Sequence, residues 1–158
     1  MPAGYSGTPL WKKLAFDDGQ NILALGMPAS VRAEIPPEIV TKSPGGGRKT
    51  TGSAGTGGPW HAILWFVTDA AELATRLPSM MAALAPATPK SGSTPARRAG
   101  FIWIAWPKKT PAKGLEKIAT DITEDRIRDI ALPLGLVDVK VCAIDGQWSG
   151  LQLVIRKT

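Results

Sequence analysis

The chain has 158 residues, 44% of them apolar and 20% charged, the balance of one globular domain rather than of a collagen, a coiled coil or a disordered chain. No apolar run nears the roughly 18 residues that span a bilayer, and Met1 to Thr8 lacks the regions of a signal peptide, so a cytoplasmic protein without a membrane partner is expected. One cysteine excludes an internal disulfide and one histidine excludes a His-rich metal site, so no metal is expected.

Nineteen basic against thirteen acidic side chains leave a net charge of +6, which attracts anions. The charges fall in separate stretches: Lys42, Arg48 and Lys49, then Lys90, Arg97 and Arg98, then Lys108, Lys109, Lys113 and Lys117. A nucleic-acid footprint gathers on one face with base-reading groups. Separate connectors favour solvated loops, and a nucleic-acid partner stands only as an alternative.

Thr8 and Pro9 open a short helix with Leu10, Trp11 and Leu14 on its apolar side. Asn21 to Leu25 is a short apolar run ending at Gly26, which reads as a buried strand. Pro28 to Ile35 predicts one or two helical turns, stopped by Pro36 and Pro37, and Glu38 to Lys42 a weak second strand. Residues 43–59 are glycine-rich and cannot bury enough apolar area to offset their ordering entropy, so they read as a flexible insert. The phosphate-loop pattern G-x-x-x-x-G-K-[ST] is absent from them.

His61 to Thr68 is apolar on both faces, as in a central parallel strand covered on each side. Asp69 with Glu72 three residues on is a helix start, and Leu73, Leu77, Met81 and Leu84 follow at helical spacing. Pro78 predicts a break or kink in that helix, and Pro86 its end. Residues 87–98 read as a second flexible insert. Gly100 to Trp106 is another doubly apolar strand, stopped by Pro107 and followed by a polar connector.

Asp121 or Thr123 caps a further helix whose first turn carries Glu124 and Asp125. Ile127, Ile130, Ala131 and Leu134 form its buried stripe and Gly135 its stop. Val137, Val139, Val141 and Ala143 alternate with Asp138, Lys140 and Cys142, and Asp145-Gly146 signals a hairpin turn into Leu151, Leu153 and Ile155. The whole predicts one α/β domain over 1–158, a mostly parallel sheet ending in an antiparallel hairpin. Trp65, Trp103 and Trp106 are expected in the core. Trp11 and Trp148 flank exposed elements and are expected over a sheet edge or a partner surface.

The ending of helix, strand, hairpin turn and strand is similar to the last part of a class I, S-adenosylmethionine-dependent methyltransferase fold. The motifs resemble more closely one uncharacterised bacterial family of short proteins, a domain of unknown function with a reduced methyltransferase-like, Rossmann-like fold of three layers. They are Gly4-Tyr-Ser-Gly-Thr-Pro-Leu-Trp-Lys-Lys-Leu14, Phe66-Val-Thr-Asp69, Trp103-Ile-Ala-Trp-Pro-Lys-Lys109, Thr120-Asp-Ile-Thr-Glu-Asp125, Ala131-Leu-Pro-Leu-Gly-Leu-Val-Asp-Val-Lys-Val-Cys142 and Trp148-Ser-Gly-Leu151. The resemblance covers most of the chain outside the two inserts. It implies the fold and no particular reaction.

In an open α/β sheet, ligands sit in the crevice at the carboxyl ends of the strands. Gly26 and Met27 follow the first strand, one glycine where a methyltransferase has two or three, and Pro28 removes a backbone donor. The second strand ends in Thr41-Lys42, with no carboxylate for a ribose. A degenerate site is therefore expected, without a cofactor, and S-adenosylmethionine is kept as the alternative.

Thr68 and Asp69 end the third strand. Lys108 and Lys109 follow the fourth, where they suit a phosphate or carboxylate, and Trp106 suits stacking on a ring. Asp121 and Thr123 follow in the same connector. Asp69, Asp121 and Thr123 also read as helix caps. His61 starts its strand and so belongs at the opposite sheet edge. Cys142 lacks the neighbours of a catalytic thiol. The expectation is a non-catalytic binding or interaction module for an anionic small ligand or a protein, as monomer or homodimer. The alternatives are a small methyltransferase and a basic nucleic-acid binder.

Overall fold

The runs that are apolar on both faces become the centre of a sheet. The structure, a computed structural model, describes residues 9–16, 21–35, 41–42, 59–96 and 98–156. Its strands are β1 (Ile22–Leu25), β2 (Thr41–Lys42), β3 (Ala62–Phe66), β4 (Phe101–Pro107), β5 (Leu136–Ala143) and β6 (Trp148–Ile155). Its helices are α1 (Leu10–Lys13), α2 (Ala29–Arg32), α3 (Ala70–Ala82) and α4 (Glu124–Ala131), and a 3₁₀ turn spans Leu132–Leu134. The strand order is β2-β1-β3-β4-β6-β5. The first four strands pair in parallel, and β6 runs antiparallel to both β4 and β5. The expected α/β sheet, parallel and then a hairpin, is what these residues form.

Every residue of β3 is buried, and so is β4 from Ile102 onward. Such strands need cover on both faces. On one face Ile63, Trp65, Ile102, Ile104, Leu151 and Leu153 pack with Leu73, Leu77 and Met80 of α3 and Ile127 and Ala131 of α4. On the other, Ile22, Leu64, Phe66 and Trp103 pack with Leu10, Leu14, Phe16, Val31 and Ile35. The expected burial of Trp65, Trp103 and Trp106 holds.

Five local expectations change. Helix α3 runs unbroken through Pro78. Proline removes the bond to the carbonyl four residues back, that of Ala74. Ala74 and Pro78 both lie on the exposed side, where water can take that carbonyl. The helix also stops before Pro86. The Trp60 N–H donates to Ala83 O at 2.9 Å and the Ala85 N–H to Trp60 O at 2.7 Å, which draws the chain alongside the sheet. Met80 rather than Met81 completes its buried stripe.

Trp148 is 7% exposed, not on an open element. It pairs with Pro107 in the ladder and meets the Phe66 ring edge-on at 5.1 Å. Trp11 is half-buried against the same cluster.

The even alternation expected of β5 is interrupted. The register slips between Asp138 and Lys140, so Val139 is an extra residue on the bulged strand. An extra residue turns every later side chain to the other face. Cys142 consequently packs against the α1 side, while Val139 and Val141 are 55% and 48% exposed.

Residues 38–40 of the second expected strand and 43–58 of the first insert lie outside the described residues. Described residues 87–96 are exposed, and Ser91 and Thr94 exchange backbone hydrogen bonds. Among the described residues no helix is long and apolar enough to cross a membrane.

Candidate functional site

Parallel pairing brings the carboxyl ends of β1, β3 and β4 to one edge of the sheet. Gly26 leaves β1 there with φ +68°, and a Cβ on it would stand 3.0 Å from Phe66 O. Glycine is needed at this point by the left-handed turn and by the close approach of the β3 backbone. Met27 is half-buried and packs against the α1-side cluster. Pro28 is the N-cap of α2, which has four residues and no side-chain cap. A helix of one turn that follows a proline offers little for a pyrophosphate.

Thr68 and Asp69 are exposed at the end of β3. Asp69 is the N-cap of α3, its Oδ1 accepting from Ala71 N at 2.9 Å. The preceding amide of the helix, Ala70 N, donates to Asp121 Oδ1 at 2.8 Å. Two chain carboxylates thus hold two of the free N–H groups that every helix start leaves. The expected cap of α4 is Thr123 alone, whose Oγ1 accepts from Arg126 N at 3.1 Å. Asp121 is corrected from a candidate cap of its own helix to a second cap of α3.

Thr120 escaped the sequence reading. Its Oγ1 donates to Thr68 O at 2.7 Å and accepts from Ile122 N at 3.0 Å. Ile118 packs with the α1-side cluster and Ile122, 2% exposed, with the α3–α4 side. The segment 118–122 therefore crosses from one face of the sheet to the other over the end of β3. The only sequence signal is Ile118 and Ile122 on either side of a polar pair.

Lys108 continues the β4 ladder, its backbone N–H donating to Gln147 O at 2.8 Å. Trp106 belongs to the α3–α4 side and Pro107 pairs with Trp148 of the other, so alternation returns Lys108 to the Trp106 side. Lys108 is half-buried and Lys109 exposed. The Trp106 indole is itself packed into the core at 8% exposure, so the stacking role read for it meets a covered ring. The connector beyond is tied to the hairpin by Ala112 N to Gly146 O at 2.8 Å and Gln147 Nε2 to Glu116 O at 2.9 Å.

The structure therefore brings Gly26, Thr68, Asp69 and Asp121 to the tops of β1 and β3, and sends Lys108 and Lys109 toward the hairpin. His61 lies at the start of β3, where its Nδ1 accepts from Asn21 N at 2.8 Å. Cys142 is half-buried, and burial holds its thiol above the ordinary range against the weaker pull of Lys140 and Lys13. Among the described residues no group of three His, Cys, Asp or Glu is placed to hold a metal ion. No protein-family model matches the chain, and no curated protein matches it.

Proposed function

We propose that the chain is a cytoplasmic, Rossmann-like binding or interaction module with a reduced methyltransferase-like fold of three layers and a degenerate cofactor site. It takes an anionic small ligand or a protein partner and carries out no reaction itself. The strand order, with antiparallel β6 between β4 and β5, supports the fold reading. The apolar clusters on both faces of the sheet support the three layers.

One observation carries the functional reading. The groups that a cofactor would use at the carboxyl edge are engaged by the chain itself. Asp121 and Asp69 hold the Ala70 and Ala71 amides, and Phe66 O stands against Gly26. Calorimetric titration with S-adenosylmethionine tests this. Silence at millimolar ligand is the expected result. Micromolar binding would overturn the reading in favour of a small methyltransferase, for which the same strand order would then speak.

A further inference from the structure

We draw no further inference here: the strongest candidate, the edge strand β5 where Val139 and Val141 are exposed, carries nothing because nothing in the structure shows what covers it.

Discussion

The indole N–H of Trp103, at the centre of β4, donates to the carbonyl oxygen of Leu14 across 2.9 Å. Both residues are fully buried. Leu14 is the C-cap of α1, so its carbonyl lies beyond the helical ladder and needs an outside donor. The bond thereby fastens the N-terminal helix to the sheet. Trp103→Phe should cost about 1–3 kcal/mol, the penalty of a buried acceptor left unpaired, besides the lost packing. Urea unfolding monitored by circular dichroism measures it. A cost under about 0.5 kcal/mol would mean that water reaches the Leu14 carbonyl.

Just after that carbonyl the backbone turns left-handed at Ala15, with φ +62°. A side chain there meets its own carbonyl and costs about 1 kcal/mol relative to glycine. Ala15→Gly should stabilise the fold by up to about 0.5 kcal/mol, because glycine also raises the entropy of the unfolded chain. A lower melting temperature in the variant would contradict the strain.

Ile104 is wholly buried between β3 and β6, paired with Trp65 and Leu151. Ile104→Ala should cost about 2–5 kcal/mol through the cavity it leaves. Val141→Ala, on the exposed edge strand, should change stability by less than about 0.5 kcal/mol. Equal costs at the two positions would contradict the strand order.

The raised thiol of Cys142 gives a pH dependence with a definite sign. Folding favours the neutral thiol, so its contribution is complete below the ordinary cysteine range and is lost as pH rises through the folded value. Stability should therefore decline above pH of about 8.5. Cys142→Ala should remove that part of the decline. Alkylation of the native protein by iodoacetamide at pH 8 should be slower than that of the protein in urea. Equal rates would show an open thiol.

An anion site at the end of β4, where the sequence sets Lys108 and Lys109, predicts an asymmetry between the two lysines. Lys108 continues the ladder on the side of Trp106 and is half-buried, and Lys109 is exposed. If Lys108 meets the ligand, Lys108→Ala should weaken anion binding by on the order of 1–3 kcal/mol, the scale of a lost charge-assisted hydrogen bond. Lys109→Ala should matter little beyond screened attraction. Phosphate-dependent thermal shifts of the wild type and both variants separate the two. Identical responses, or none, would leave the lysines as a solvated turn.

The sheet and its helices were legible because their signals are local. Ile63 to Val67 and Ile102 to Trp106 are apolar on both faces, and this requires cover on both sides whatever surrounds them. Leu73 and Leu77, and Ile127 and Ala131, carry the helical period within their own segments. Asp145 and Gly146 announce the hairpin, and Asp145 Oδ1 indeed accepts from the Gln147 and Trp148 amides.

Tertiary structure decided what depends on partners distant in the chain. Asp121 reads locally as a cap for the helix that follows it, yet it serves Ala70 because the connector passes over the end of β3. Trp148 reads as the cover of a sheet edge or a partner surface and is buried because the β4–β6 ladder carries it beside Phe66. Pro78 is tolerated because packing puts its side of α3 toward water, leaving the Ala74 carbonyl outside the core. The bulge at Val139 reverses the faces of β5, which a two-residue alternation cannot foresee. For Asp121, Trp148 and Val139, a carboxylate, a ring or a strand register found its counterpart only when separate segments met. Periodicity records which side of a segment is apolar, and packing alone chooses what that side meets.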